Sequence, residues 1–490
     1  MLIAVSWTAT SVPSQTIRYI DSNGLPQRAQ GPASVPERSW PGARATEVVD
    51  RVLSGERLVT GSGMQVLIEG VQAADRGSSA TAVSRGAETA RRALADLVMG
   101  RVIELTFEDR RPEGDALRAH VHLSDGRLLA SVLAEGGHVR PSLEVGGLEH
   151  ADAILRSATV ARDANRGVWQ RSAAQGPPTK ASAGRVRGFG LGMYGPTQDH
   201  DYDPLLSELE SIGATDVMLV VPHFVHDWRS TSIAPRPGRT PSWETIDRTI
   251  RQARKRGLRT GIMPIILLAT GGDSHWRGDL KPRSLQAWFR SYGRHLGRCA
   301  DVGRDAGADW LVVGSELCSL ERHTPYWKTL IASLRARFPG KLTYSANWDQ
   351  LDEVRFWDEL DLIGMTGYHK LASGSSTSVD LLVMAWTPIK EALLRLQRLH
   401  GKPFAFTEIG YASVDGIAAE PWNYRLRNRP DALEQAHCYE AFVRTWQPAP
   451  PGFAGAWFYD WWRNGDATDK RGYTVHGKPA EKIVRRYFSR

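Results

Sequence analysis

The second part of the chain repeats one pattern: a short, nearly continuous apolar run followed by a helical segment. Eight such runs lie at 188–194, 216–224, 259–268, 310–316, 342–347, 360–368, 404–410 and 455–462. Every run except the last is followed by a segment with helical features, and several of these segments end on glycine, a common helix stop. Buried strands that alternate with helices are typical of parallel sheets. Eight of them within about 300 residues predict an α/β fold, a (β/α)8 TIM barrel.

An open, doubly wound sheet is the main alternative fold. Such a sheet with a nucleotide site needs a glycine-rich phosphate loop between an early strand and a helix. The stretch "GFGLGMYG" at 188–195 contains glycines, but their spacing is different and no helix start follows them. The sequence therefore favours the closed barrel.

Two of the predicted strands end on a glutamate. Glu316 ends the fourth run and Glu408 ends the seventh. In a TIM barrel the carboxyl ends of the strands face the active site, so both side chains are expected at the mouth, on opposite sides. Two facing carboxyl groups are what glycoside hydrolysis requires, one as proton donor and one as nucleophile or base. Pairing of each acid with a barrel arginine is the structural alternative.

In this order and spacing, the motifs around these strands resemble those of clan A glycoside hydrolases, and within that clan family 113. The motifs are "HWRG" (275–278), "WFRSY" (288–292), "GADWLVVGSE" (307–316), "LTYSANWD" (342–349), "FWDELDLIGMTGY" (356–368), "FTEIGY" (406–411), "GAWFYDWW" (455–462) and "YTVHGKP" (473–479). The family is known for endo-β-1,4-mannanases. The resemblance implies a retaining reaction with Glu316 as acid/base and Glu408 as nucleophile. Many clan members have asparagine just before the acid/base, to bind the sugar 2-hydroxyl, whereas this chain has Ser315.

Several other residues are predicted to bind substrate. Tyr368, at the end of the sixth strand, is expected to hydrogen-bond the nucleophile and keep it ionised. Trp457 in the eighth strand is expected to form the floor under the reacting sugar, because the C–H faces of pyranoses stack on indole rings. Core packing is the alternative for each of them. The remaining predicted substrate-binding residues are Trp276, Arg277, Asn347, His223 and Trp461, with Trp348 and Trp462 as further aromatic candidates.

The first part of the chain predicts a different domain. Residues 1–44 are predicted to be a disordered leader, 45–170 a small β-barrel with helices, 171–185 a linker, and 186–490 the glycoside hydrolase domain. The second segment resembles the staphylococcal-nuclease-like domain, an OB-type barrel. The matching pieces are "GVQAAD" (70–75), "LVMGRVIEL" (97–105), "VHLSDGRLLASVLAEGGHVRP" (121–141) and "DANRGVW" (163–169).

The chemistry of that nuclease-like family does not carry over. Ser54-Gly55-Glu56 replaces the expected Asp-Gly-Asp, while Leu67 and Asp115 stand where arginines belong. A calcium-dependent phosphodiesterase needs carboxylates to hold the ion and arginines to stabilise the developing negative charge. We therefore expect this barrel to be non-catalytic, with a partner that the sequence does not identify.

Composition limits the other function classes. A net charge of +8 with dispersed arginines gives no block typical of nucleic-acid binding, so a nucleic-acid partner is not expected. Three scattered cysteines predict neither disulfides nor a zinc site and favour a reduced compartment, and no metal or other cofactor is expected. No membrane span and no clear signal peptide is predicted, which leaves both a cytoplasmic and an exported location open.

The sequence thus predicts a retaining glycoside hydrolase that cleaves β-glycosidic bonds of an oligo- or polysaccharide, with β-1,4-mannan as the best single substrate. The competing hypothesis is a non-catalytic carbohydrate-binding or assembly protein built on a glycosidase-like barrel. Retention of both glutamates in intact strand contexts favours the enzyme, because a decayed enzyme usually loses at least one.

Overall fold

The fold comes from a computed structural model, in which the described residues are 15–20, 26–31, 44–73, 80–107, 116–142, 150–169, 184–270, 274–374, 378–461 and 470–489. The chain divides into two compact units, Met1–Arg171 and Ser172–Arg490. Most of the predicted linker, 171–183, lies outside the described residues.

The first unit contains a five-stranded barrel. Its strands are β1 (Gln15–Ile20), β2 (Pro26–Gly31), β3 (Arg44–Val52), β4 (Arg57–Thr60), β5 (Gln65–Ile68), β6 (Val71–Gln72), β7 (Val102–Phe107), β8 (Ala116–Leu123) and β9 (Arg140–Pro141), and its helices are α1 (Ala80–Val98), α2 (Leu129–Glu135) and α3 (Ala151–Asp163). Strands β3, β4, β5, β8 and β7 pair in this order, and β7 returns to β3 to close the barrel. The predicted small β-barrel at the amino-terminal end is confirmed.

Two short strands lie within the segment that is predicted to be a disordered leader. β1 and β2 pair antiparallel, and Ile20 of β1 pairs with Arg44 of β3. Ile17, Tyr19 and Ile20 have the high strand propensity of β-branched and aromatic residues, which the Pro-, Ser- and Gly-rich average of 1–44 conceals. The rest of the predicted leader, up to residue 43, lies outside the described residues.

Two of the positions that depart from the nuclease-like pattern, Leu67 and Glu56, make structural contacts. Leu67 is buried in β5, and the Glu56 carboxylate accepts a hydrogen bond from the backbone N–H of Ala73. Asp115 lies outside the described residues. The nuclease-like, non-catalytic character of this unit stays a prediction.

The second unit is a closed barrel of eight parallel strands. They are β10 (Val186–Gly192), β11 (Asp216–Val225), β12 (Arg259–Leu268), β13 (Trp310–Ser315), β14 (Lys341–Ala346), β15 (Leu362–Thr366), β16 (Phe404–Ile409) and β17 (Phe453–Phe458). They pair in chain order, and β17 returns to β10. The predicted (β/α)8 TIM barrel is confirmed.

Helices connect most of these strands. They are α4 (Asp203–Ser211), α5 (Trp243–Lys255), α6 (Leu285–Ala306), α7 (Cys318–Glu321), α8 (Thr324–Arg335), α9 (Val379–His400), α10 (Ala432–Trp446) and α11 (Pro479–Phe488). Serine side chains accept hydrogen bonds from backbone N–H groups at the starts of α5, α6 and α9. Gly307 and Gly401 end α6 and α9 in the left-handed conformation that favours glycine.

The connections around β14 and β17 differ from the predicted pattern. β14 is followed only by two 3-10 turns, Leu351–Glu353 and Trp357–Glu359, whereas β17 is followed by α11. Phe356 and Trp357 are adjacent rather than three or four residues apart, so they do not form one apolar helical face. Both are buried and pack against Tyr344 of β14, which anchors the turns instead.

Side chains that alternate along the strands form two apolar layers, one inside the barrel and one between the barrel and the helices. On β11, Met218 and Val220 belong to the inner core, whereas Val217, Leu219 and Val221 pack in the outer core that includes the helices. Successive side chains of a strand point to opposite faces, so sequence parity decides which residues face the barrel interior. Among the described residues, no helix combines the length and the apolar character that crossing a bilayer requires.

Candidate active site

Glu316 and Glu408 are both nearly buried at the carboxyl ends of their strands. Glu316 directly follows β13, and Glu408 is the penultimate residue of β16. Their residue exposures are only 6% and 9%. Glu316 has a φ of 52°, in the left-handed region that non-glycine residues rarely adopt. Backbone strain of this kind often marks a functional position and needs support from its surroundings.

Arg277 pairs with Glu316. It lies in the 3-10 turn Arg277–Asp279, in the connection after β12, and its guanidinium donates to Glu316 Oε2 at 2.7 Å. Burial opposes the charge of Arg277, but the Glu316 and Glu408 carboxylates raise its pKa overall. This single cation therefore acts on both acids.

Tyr368 pairs with Glu408, as the sequence predicts. Its hydroxyl donates to Glu408 Oε1 at 2.6 Å, and burial followed by the charge of Glu408 raises the pKa of Tyr368 well above its usual value. Burial is also the largest cause that raises the pKa of Glu408, to about 7, followed by the charge of Glu316. Arg277 and the Tyr368 hydrogen bond oppose that rise.

The charge of Glu316 therefore acts on Glu408, so the two acids lie in one site. A nearby negative charge disfavours ionisation of a carboxyl group. A protonated and an ionised carboxyl group across one pocket are the two groups that glycoside hydrolysis uses.

Removal of the Tyr368 hydroxyl gives a test of this electrostatic balance. Because its hydrogen bond lowers the pKa of Glu408, Tyr368→Phe should raise that pKa and move the acidic limb of the kcat/KM pH profile to higher pH. A hydrogen bond to a charged group contributes about 1.5–3 kcal/mol, so kcat/KM should fall roughly ten- to a hundredfold. Tyr487→Phe, in a buried tyrosine of α11, is the control and should leave the profile unchanged. An unshifted acidic limb in Tyr368→Phe would contradict the assignment.

Three further predicted residues lie at the mouth end of the strands. Asn347 directly follows β14, where its Oδ1 accepts from the Thr366 hydroxyl and its amide donates to Asp349. Trp276 immediately precedes Arg277 and is 40% exposed. Trp348 stacks on Trp422, a 42% exposed indole in the connection after β16 that the sequence does not single out.

Trp457 lies in the inner barrel layer. It is fully buried and meets Trp310, the first residue of β13, edge to face. Tyr459, two residues further and therefore on the same side of the chain, is partly exposed. Burial is the largest cause that raises the pKa of Tyr459, and Glu408 contributes. Tyr459 is thus the aromatic residue of this strand end that lies in the electrostatic range of Glu408.

Trp461 and His223 are not brought to the mouth. Trp461 is buried in the outer core, where its indole N–H donates to Glu208 of α4. His223 continues the outward parity of Val217, Leu219 and Val221 on β11. It packs against Trp243 of α5 and His295 of α6. Trp462 lies outside the described residues.

The buried histidine pair predicts loss of stability in acid. Burial, with a smaller effect of His295, lowers the pKa of His223 to about 2, and burial lowers that of His295 to about 3. Unfolded histidine titrates near pH 6.5, so below that pH the unfolded state binds protons that the native state excludes. The free energy of unfolding should therefore fall as pH drops from about 6.5 towards 3, by up to about 1.4 kcal/mol per pH unit for each histidine.

Urea unfolding of the full chain at several pH values, followed by tryptophan fluorescence, measures this slope. His295→Leu should reduce it, whatever its effect on stability at neutral pH. The exposed His226→Gln serves as the control. An unchanged slope in His295→Leu would show that other groups dominate the acid response.

Other residues near the site were not predicted as site residues. Asp460, directly after Tyr459, contributes to raising the pKa of Glu408, and Glu408 in turn contributes to raising the pKa of the partly buried Tyr473. Both residues lie in motifs, "GAWFYDWW" and "YTVHGKP", that carry the family resemblance. For Asp460 the position just past the end of β17 is a further signal, whereas Tyr473 lies well into the connection before α11 and has the motif alone.

One group of carboxylates among the described residues is close enough to hold a metal ion. Asp415, Asp431 and Glu434 have oxygen atoms within 4.8 Å of one another. Asp431 caps α10, Glu434 accepts from the backbone of Gly416 and Ala418, and Asp415 pairs with Arg429. These contacts give the three carboxylates a structural role, because they stabilise the loop after β16.

Comparison with known proteins decides the family. A family model described as Glycoside Hydrolase Family 113 matches residues 192–478, more than half of the chain. The chain belongs to glycoside hydrolase family 113. This glycoside hydrolase is similar to the β-mannanase AaManA from Alicyclobacillus acidocaldarius, solved in complex with ManMIm. The two are 29% identical with a TM-score of 0.56, over 62% of this chain and 97% of that one.

A second solved structure supports the fold of the family 113 barrel. It is a GH113 β-1,4-mannanase with 23% identity and a TM-score of 0.57, over 62% of this chain and 99% of that one. No curated protein matches the chain.

Proposed function

We propose that this family 113 hydrolase cleaves internal or terminal β-glycosidic bonds of a polysaccharide with retention of configuration, with Glu408 as nucleophile and Glu316 as acid/base. The observation that carries the proposal is the buried pair of strand-end carboxyl groups, each held by its own partner, Arg277 or Tyr368.

In the first step, a carboxylate oxygen of Glu408 attacks the anomeric carbon and the glycosidic C–O bond breaks. Glu316 gives its proton to the departing oxygen, which leaves as an alcohol. The hydroxyl of Tyr368 donates to one Glu408 oxygen and leaves the other free to form the bond. The product of this step is a covalent glycosyl-enzyme with inverted configuration.

In the second step, Glu316 acts as base. Its carboxylate takes a proton from water, the water oxygen attacks the anomeric carbon, and the bond to Glu408 breaks. The second inversion restores the β configuration, and both acids return to their starting states.

The first step needs Glu316 protonated and Glu408 ionised. The charge of Arg277 and the hydrogen bond from Tyr368 lower the pKa of Glu408, whereas burial and the charge of Glu316 raise it. A proton on Glu316 removes that negative charge and therefore favours the ionised form of Glu408.

A β-1,4-mannan is the proposed substrate. The support is the 29% identical β-mannanase, together with exposed indoles at the mouth, Trp276 and Trp422, whose faces suit the C–H surfaces of pyranoses. Ser315 is 2% exposed, and its hydroxyl has no hydrogen-bond partner in the described part of the chain. This hydroxyl is therefore available at the position where many clan members use asparagine.

The test is a panel of β-1,4-mannan, β-glucans, chitin and peptidoglycan, with release of reducing ends as the measurement. We expect the fastest hydrolysis with mannan, and NMR of early products should show the β anomer before mutarotation. Initial release of the α anomer would contradict the retaining mechanism. Hydrolysis of another β-glycan in place of mannan would correct the substrate alone.

A further inference from the structure

A second buried glutamate lies close behind the proposed acid/base. Glu321, the last residue of α7, is fully buried, and its Oε1 accepts a hydrogen bond from the Tyr344 hydroxyl at 2.8 Å. Burial is the largest cause that raises the pKa of Glu321, to about 7, with a smaller contribution from Glu316. The two-step reaction assigns this carboxyl group no role, although a buried acid is costly to keep.

A second hydrogen bond connects Tyr344 to the backbone beside Glu316. The Tyr344 oxygen accepts from the N–H of Leu317 at 2.9 Å, while the N–H of Glu316 donates to the carbonyl of Ser345 at 2.8 Å. The backbone N–H groups of Glu316 and Leu317 thus both donate to residues of β14. Tyr344 uses its hydroxyl as donor to Glu321 and as acceptor from Leu317, and burial, followed by the charge of Glu321, raises its pKa so that it stays protonated.

The hydrogen bonds from Glu321 through Tyr344 to Leu317 support the strained backbone at Glu316. Glu316 has a φ of 52°, and such a backbone persists only where neighbouring groups hold it. The ring of Tyr344 also lies against Gly314, where a Cβ atom would come within 2.7 Å of Cε2. Tyr344 therefore contacts the chain on both sides of Ser315 and Glu316.

We propose that Glu321 and Tyr344 form a positioning pair that holds the Leu317 backbone and thereby aims the Glu316 carboxyl group at the leaving oxygen. The inference rests on the proposed acid/base role of Glu316. Proton transfer depends steeply on donor placement, whereas Glu408 accepts its hydrogen bond from Tyr368 and not from Tyr344 or Glu321. Loss of the pair should therefore impair protonation more than nucleophilic attack.

The test compares substrates that need protonation with substrates that do not. For Tyr344→Phe, kcat on mannan or on an alkyl β-glycoside should fall about ten- to a hundredfold, the cost of a misplaced catalytic group. The rate of the first step with a dinitrophenyl β-glycoside, measured as the burst of phenolate, should change less than about threefold because that leaving group needs no proton. Glu321→Met should give the same pattern, and Glu321→Gln, which keeps an acceptor oxygen, should restore most of the rate.

Tyr292→Phe is the matched control. The hydroxyl of this fully buried tyrosine donates to the carbonyl of Val313 on β13 at 3.0 Å, without a bond to residues 316 or 317. Its variant should keep the wild-type ratio of the two rates, even if the melting temperature falls. Equal losses on both substrates in Tyr344→Phe, or no loss on either, would overturn the proposal.

The same assay separates this proposal from the function on which it depends. If Glu316→Ala itself shows no preference for the activated substrate, the acid/base assignment fails. If Glu316→Ala shows that preference while Tyr344→Phe and Glu321→Met do not, the acid/base assignment stands and the positioning role alone is wrong.

Discussion

Glu408→Ala should abolish hydrolysis of every substrate, activated or not. Without this carboxylate the covalent intermediate cannot form, and loss of an enzyme's nucleophile lowers kcat by roughly 10⁴- to 10⁶-fold. The cavity left by the side chain gives azide access to the face from which Glu408 attacks. Any product formed with azide should therefore be the α-glycosyl azide, which NMR distinguishes from the β anomer.

Glu420→Ala is the control for Glu408→Ala, because Glu420 is an exposed carboxylate in the connection after the same strand. It should hydrolyse substrate at the wild-type rate and give no azide product. Melting curves of both variants establish that they are folded. A Glu408→Ala protein with the wild-type rate would refute the mechanism as a whole.

Glu316→Ala should separate the two chemical steps. Hydrolysis of substrates with poor leaving groups should fall by about 10²- to 10⁴-fold, the usual contribution of general acid catalysis. A dinitrophenyl glycoside should still form the glycosyl-enzyme in a rapid burst, after which breakdown is slow because water has lost its base. Azide needs no base, so it should raise turnover and give the β-glycosyl azide.

The configuration of the azide product distinguishes the two acids. A β product from Glu316→Ala and an α product from Glu408→Ala are opposite outcomes for the same substitution, as the proposed roles require. If Glu316→Ala is equally inactive on activated and unactivated substrates and does not respond to azide, another residue is the proton donor.

The pairing of each acid with its own partner is only partly readable from the sequence. Tyr368 ends the sixth predicted strand, next to the strand of Glu408, and the sequence predicts their contact. Arg277 is predicted to bind sugar hydroxyls, but its pairing with Glu316 depends on the course of the connection after β12. The Tyr344–Glu321 hydrogen bond behind Glu316 gives no sequence signal. A tyrosine in a strand and a glutamate in a short helix are both ordinary residues for those elements.

Strand parity explains where the sequence and the structure differ at the site. His223 lies near the carboxyl end of β11, but its odd position gives it the outward direction of Val217, Leu219 and Val221. Trp457 has the inward direction but packs on Trp310 in the inner layer, whereas Tyr459 lies in the electrostatic range of Glu408. Apolar runs that are buried on both faces show no alternation in the sequence, so the direction of each side chain is hidden.

The sequence by itself determined the architecture of the catalytic unit and its two acids. Eight apolar runs with intervening helical segments suffice for the barrel, because each run must be covered on both faces. A glutamate at the end of a run must then lie at the mouth. The tertiary structure decided the depth and direction of every other side chain, and the electrostatics of the pair. The pKa of Glu408 depends on burial and on charges from residues far apart in the chain, Glu316, Arg277 and Asp460, which only the closed barrel brings together.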